Sequence, residues 1–232
     1  MEPSEKIKGS PWREALVRSL PILLSYVFIS MAYGMMMADA GFPWTLALLT
    51  SLTVYTGAYQ FMLISLLSGG AALPVIALTA LLMNSRQAFY GLTFLDTFRA
   101  MGKWEPYMVL TMTDETYAVN CSLPADMPGR SEVMRHVAFL SRVYWMLGTV
   151  CGALLGQALP WNLEGIDFCM TALFIIILMD QLRQASNRLP ALAGGGVAAA
   201  CLFIFGGSSF ILPALLATSS LLLLMGRKGE KA

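Results

Sequence analysis

Charge is scarce in this 232-residue chain: 12% of its residues are Asp, Glu, Lys or Arg, and the net charge is +1. So weak a field offers no footprint for a polyanion, which excludes nucleic acid as a partner. Histidine is scarcer still, with His136 alone. One imidazole builds no histidine-based metal site, and His136 stands where a basic loop enters an apolar run, the place of an interfacial or loop side chain. Cys121, Cys151, Cys169 and Cys201 are scattered singly, without the spacing of a disulfide framework or a metal site. A Gly-rich loop ending in Lys-Ser/Thr is missing, so an energy source has to be an ion gradient or another chain. The serines of "GGSSF" at 206–210 find only His136 as an imidazole partner, near the opposite interface. No catalytic residue, cofactor or metal is expected, and the chain reads as a non-enzyme. Long linkers, low-complexity tracts and soluble domains are missing as well.

What fills the sequence instead is apolar surface: 57% of residues are hydrophobic, and the mean hydropathy is +0.65. Those values describe an integral membrane protein. A helix crossing the hydrocarbon core needs roughly 20 mostly apolar residues. Leu16–Ala38 and Val137–Leu159 meet that requirement cleanly, while Trp44–Leu67 and Ala71–Phe94 meet it with polar interruptions. Tyr107–Leu123, Ile166–Leu182, Ala191–Phe205 and Ser208–Met225 are shorter and read as short spans or re-entrant pieces. The predicted fold is all-α: a polytopic membrane bundle of seven or eight transmembrane helices with broken or re-entrant segments. Residues 1–15 form a short cytoplasmic lead-in and 16–226 a single transmembrane domain. The first apolar run is too long for a signal peptide and is retained as a helix. Lys6, Lys8, Arg13 and Arg18 place the amino terminus inside, and Arg227, Lys228 and Lys231 do the same for the carboxyl terminus. Arg99 and Lys103 fit that scheme poorly, and a re-entrant Tyr107 segment would change the parity.

The halves resemble each other. One helix runs through Gly34 to Pro43-Trp44 and another through Gly152 to Pro160-Trp161, with Arg13 and Arg18 before the first and Arg135 and Arg142 before the second. The pattern suits an internal duplication, parallel for four helices per repeat and inverted for three, as in transporters that hold substrate near the midplane.

Polar residues inside the spans are the candidate site. Tyr55, Thr56, Gly57, Tyr59 and Gln60 interrupt the second span. Glycine there either lets the helix unwind, freeing amides and a partly positive helix end for a carboxylate, or makes a packing notch with Gln60 bonded to a neighbouring helix. The third span carries Asn84, Ser85, Arg86, Gln87 and Tyr90. An arginine there faces protein or water. Either it pairs with an intramembrane acid, Asp114 or Glu115 ahead of Asp180, or it snorkels to the interface. Asp114 and Glu115 lie about 100° apart on a helix. One acid then pairs with Arg86 while the other faces the aqueous route, where it is able to carry a proton. The plainer alternative is that both cap a short interfacial segment.

"SMAYGMMMADAG", "LTVYTGAYQFMLISLLSGG", "LLMNSRQAFYGL" and "LTMTDETYAV" occur in this order between Ser30 and Val119. Together they resemble the AzlC family of branched-chain amino-acid permeases, at motif strength from about Pro21 through Asn120. The resemblance implies a bacterial inner-membrane exporter of valine, leucine, isoleucine and sometimes methionine, acting with a small membrane subunit of the AzlD type. On that reading Tyr55, Thr56, Gly57, Gln60 and Asn84 bind substrate, and Arg86, Asp114 and Glu115 serve coupling or ion pairing, with the proton as a candidate ion. A channel, or a regulatory or assembly subunit, is the alternative function. The chain departs from the family at Tyr59, where a small residue is common, and at Gln87, where histidine is common; Gln87 cannot take up a proton.

An ion pair at Arg86 makes a prediction, because a lone buried charge is costlier than none. Arg86→Gln should lose membrane yield and transport, and adding either Asp114→Asn or Glu115→Gln should restore yield in one case only, as read by fluorescence-detected size exclusion. Recovery in neither double variant would show that Arg86 snorkels.

Overall fold

The computed structural model describes residues 10–158, 167–184, 188–206 and 210–229, in which helices form and no strand does. The elements are α1 (Pro11–Asp39), α2 (Trp44–Thr53), α3 (Gly57–Ser68), α4 (Leu73–Thr93), α5 (Leu95–Ala100), a 3-10 turn (Gly102–Trp104), α6 (Glu105–Leu110), α7 (Asp114–Ser122), α8 (Arg130–Ala158), α9 (Asp167–Gln184), α10 (Leu189–Phe205) and α11 (Ile211–Gly229). Helix α1 starts where Ser10 accepts a hydrogen bond from the Arg13 amide at 3.4 Å and Pro11 takes the first helical position, where its missing N–H costs nothing. Among the described residues, α1 and α8 are the two helices long and apolar enough to cross a membrane. The other apolar segments are shorter, so the seven or eight crossings expected from hydropathy would have to be completed by them.

The helices gather into two compact units, Met1–Ser65 with Arg86–Cys169, and Leu66–Ser85 with Met170–Ala232. In the second unit α10 packs on α11, and a Cβ added at Gly194 would sit 3.4 Å from Thr218 Cγ2. The first unit contains the buried polar residues of interest and is built on α1 and α8.

Those two helices run side by side in the same direction. Trp12 packs edge-on against His136 with ring centroids 4.9 Å apart, Ser19 Oγ lies 3.1 Å from Tyr144 Oη, and Tyr26 meets Trp145 at 5.1 Å. Farther along, Gly148 lies against Ser30, Gly152 against Met31 and Gly34, and Gly156 against Ala38. Each step along α1 is matched by a step along α8, which defines a parallel pair. Contact is close because small residues recur every four positions, Ser30-Gly34-Ala38 on one helix and Gly148-Gly152-Gly156 on the other. A Cβ at Gly34 would stand 2.2 Å from the Thr149 carbonyl oxygen, and one at Gly152 would stand 2.1 Å from that of Met31. No side chain fits there unless the backbones part. Gly34 and Gly152, matched in the comparison of the two halves, are thus in contact with each other.

This seam predicts a sharp contrast. Gly34→Val and Gly152→Leu should each cost more than the 1 to 3 kcal/mol typical of overpacking, because rigid backbone is the obstacle, and should abolish monodisperse protein in size exclusion. Gly195→Ala, where an added Cβ meets nothing within 4 Å, should purify normally and gain roughly 0.5 to 1 kcal/mol of helix propensity.

Candidate functional site

The second span is broken. Between α2 and α3, Val54–Thr56 leave the helix, and Tyr55 adopts a left-handed conformation with φ of 43°. Thr53, Val54 and Thr56 are β-branched and weak helix formers, and Gly57 follows them. The left-handed tyrosine costs about 1 to 2 kcal/mol, a strain that has to be held by its surroundings. Its side chain is 5% exposed, and its hydroxyl is buried without a hydrogen-bond partner. Thr56 donates to the Val54 carbonyl at 3.1 Å and to Gln87 Oε1 at 3.5 Å. Gly57 opens α3 beneath the Trp145 indole, where an added Cβ would come within 2.9 Å of the ring. Gln60 is fully buried and donates to Ser51 Oγ at 2.9 Å, and Ser51 lies 3.0 Å from Thr149 Oγ1 on α8. The two halves of the broken span are therefore pinned to each other and to α8 by buried polar side chains. Packing notch and unwinding, weighed as alternatives from sequence, coexist.

A second break divides the segment Tyr107–Leu123, expected as a short span or a re-entrant piece. Thr111–Thr113 separate α6 from α7, so Thr111 and Glu115 do not share a helical face as continuous spacing implied. Thr113 caps α7 reciprocally with Thr116: the Thr116 amide donates to Thr113 Oγ1 at 3.3 Å and the Thr113 amide to Thr116 Oγ1 at 2.7 Å. Asp114 and Glu115 form the first turn of this half-helix, where the aligned peptide dipoles favour negative charge. That position accounts for two adjacent acids in an apolar segment. Tyr26, midway along α1, donates to Glu115 Oε2 at 2.8 Å, and its oxygen lies 2.6 Å from Thr113 Oγ1. A phenol has one proton, so with Tyr26 donating to Glu115 the Thr113 hydroxyl donates to Tyr26. The hydroxyls form a directed chain ending on the carboxylate.

Arg142 joins the breaks. The sequence reading treated it as a flanking basic residue; the structure places it inside α8, about 18 Å beyond the helix start at 1.5 Å per residue. Its terminal amino group donates to the Leu52 carbonyl in the last turn of α2. In an unbroken helix that carbonyl would be served by the Thr56 amide four residues on, so the guanidinium replaces a hydrogen bond that the break removes. The guanidinium also lies 5.4 Å from the Tyr55 ring centroid and 6.0 Å from that of Tyr107 on α6. Tyr107 Oη and Trp145 Nε1 are buried without hydrogen-bond partners.

Of the residues singled out from sequence, Tyr55, Thr56, Gly57 and Gln60 meet at the first break, and Asp114 and Glu115 at the second. Asp114 is half-buried. Asn84 belongs to the second unit, with a buried Oδ1 that has no hydrogen-bond partner. Arg86 lies in α4, but its side chain, like that of Asp180, falls outside the described residues, as do 207–209 of "GGSSF". Sequence reasoning missed Tyr26, Tyr107, Trp145 and Arg142. Only Arg142 carried a signal, a charge five residues inside the apolar run Val137–Leu159.

Two long apolar helices packed beside shorter, interrupted ones, with hydroxyls, two acids and an arginine gathered at the interruptions, suit a helical membrane protein with a buried polar centre. The chain belongs to the AzlC family, whose model, described as AzlC protein, matches residues 21–159. A Helicobacter pylori membrane protein is 35% identical over 185 residues, 79% of this chain and 81% of that one. The branched-chain amino acid transport protein AzlC of Bacillus subtilis is 35% identical over 186 residues, 79% of this chain and 72% of the relative. The Escherichia coli inner membrane protein YgaZ is 30% identical over 179 residues, 74% and 73% of the two chains. No solved structure matches the chain.

The geometry at Gly57 yields a prediction. Gly57→Leu would drive its side chain into Trp145 without touching the α1–α8 seam, so the protein should insert and purify as a single species while transport falls at least 100-fold. Normal transport by this variant would dismiss the first break as a functional site.

Proposed function

We propose that this chain is the large subunit of a secondary transporter for branched-chain amino acids, exporting them across a bacterial inner membrane on an ion gradient together with a small AzlD-type membrane subunit. The observation that carries the proposal is the meeting of two interrupted helices at one buried polar cluster, because irregular backbone at membrane depth is tolerated only where protein or a water-filled cavity satisfies it. The name of the Bacillus subtilis relative supplies the substrate class. It also supports transport rather than catalysis.

In this reading Tyr55, Thr56 and Gly57 line the binding site and Gln60 braces the break through Ser51, with Asn84 kept as a further substrate-binding candidate. Glu115, held by Tyr26, is the coupling acid, and protonation of its carboxylate would release the hydroxyl chain from its charged end. Asp114 is left to pair with Arg86. The parallel course of α1 and α8 supports an odd number of crossings between them. Three segments provide it if α6 and α7 together cross once, and eight crossings then bring both termini to the cytoplasmic side. A channel-like or regulatory role without accumulation remains the alternative.

Proteoliposomes holding this chain with its small partner, loaded with buffer and placed in radiolabelled leucine under an imposed proton gradient, should accumulate label at least fivefold over the outside. Collapse of the gradient by a protonophore should abolish accumulation. Equilibration without accumulation would indicate the channel-like alternative, and full activity of this chain alone would remove the partner.

A further inference from the structure

Arg142 is under-used where it stands. A guanidinium has five N–H donors, and the described contacts of Arg142 are the Leu52 carbonyl and the faces of Tyr55 and Tyr107. No carboxylate lies within ion-pair distance of it among the described residues. A cation inside an apolar helix with so few partners is costly, and such residues mark substrate or ion routes.

The arginine also opens on a cavity. A space of about 540 Å³ lies beside α8, lined by Trp104, Tyr107, His136, Phe139, Arg142 and Met146 among others. Its volume is in the range of small-molecule sites, roughly 300 to 1,000 Å³. Its walls present almost only apolar carbon, and the Tyr107 hydroxyl and His136 Nδ1, on lining residues, are buried without hydrogen-bond partners, so a ligand in the cavity reaches them and the Arg142 guanidinium only when these side chains turn toward it. Arg135 is already stacked 5.4 Å from the Trp104 ring. A cation with donors to spare, an unpartnered phenol and apolar walls match a ligand with a carboxylate at one end and a branched hydrocarbon at the other.

We infer that Arg142 is the anchor for the substrate carboxylate, exchanging the Leu52 carbonyl for it, with the Tyr107 hydroxyl as second donor and the cavity wall holding the branched side chain. This assignment rests on the transport reading and moves the carboxylate from the backbone amides at Thr56 and Gly57 to a side chain on α8. It also gives binding a structural consequence, since a carboxylate that takes Arg142 leaves the end of α2 unsatisfied and free to rearrange.

The test is discrimination, which a merely structural arginine would not provide. In nanodiscs, competition against radiolabelled leucine should show the wild type preferring leucine to leucinamide at least tenfold, the worth of one charge-assisted hydrogen bond. Arg142→Gln should bring that ratio near one, and Arg142→Lys should restore part of it. Tyr107→Phe, which removes one hydroxyl and keeps the ring beside Arg142, should weaken leucine about threefold to tenfold and decides the matter if Arg142→Gln does not purify. An unchanged leucine preference in monodisperse Arg142→Gln, or an unchanged leucine affinity in Tyr107→Phe, overturns the anchor and leaves transport standing. A wild type that binds none of valine, leucine or isoleucine sinks the transport reading instead. The anchor then survives only if 4-methylpentanoate binds the wild type and not Arg142→Gln.

Discussion

At the crossing of α1 and α8, carbonyl oxygens of one helix press on glycines of the other with no room for a methyl group between them, and the polar centre of the first unit depends on that contact. In a bilayer the hydrophobic effect gives helices little reason to associate, so close backbone approach through small residues has to supply the packing. The seam fixes the register of the two helices. Register in turn sets Tyr26 beside Trp145, and Trp145 over Gly57. A shift of one helical turn would carry Tyr26 away from Glu115 and Arg142 away from Leu52.

Breaking a helix at membrane depth exposes backbone groups that hydrocarbon cannot satisfy. The two breaks meet this cost differently. At α6–α7, threonines do the work: Thr111 donates to the Tyr107 carbonyl at 2.7 Å, and Thr113 with Thr116 caps the following half-helix. At α2–α3 the freed Leu52 carbonyl is served from another helix by Arg142. The first solution is local and self-contained. The second ties the geometry of the break to a charged side chain on α8, so the two move together.

The long apolar helices α1 and α8 and the interruption at Gly57 were legible in the sequence, because length, hydropathy and a glycine behind β-branched residues are local signals. The second break was legible only as an alternative, since seventeen residues from Tyr107 to Leu123 suit a short span as well as a re-entrant piece and threonine is compatible with either state. Arg142 was obscured by the habit of counting basic residues as markers of cytoplasmic loops; its role depends on a carbonyl ninety positions away. The spacing Gly148-Gly152-Gly156 is plain in the chain, but its partner Ser30-Gly34-Ala38 is only one of several small-residue patterns until the two meet.

Backbone-to-backbone packing also limits how the first unit is able to move. Interlocked small residues have no rotamers to adjust, and sliding α1 along α8 would bring Gly152 under Ala38 or Ser30 in place of Gly34. The pair is therefore the stiff element. At Val54–Thr56 Tyr55 stands in a strained conformation, while at Thr111–Thr113 the three amides are held by the Tyr107 and Val109 carbonyls and the Thr116 hydroxyl. On the proposed transport reading, rearrangement would bend α2–α3 at its strained break against the α1–α8 pair, with Arg142 exchanging its partner there.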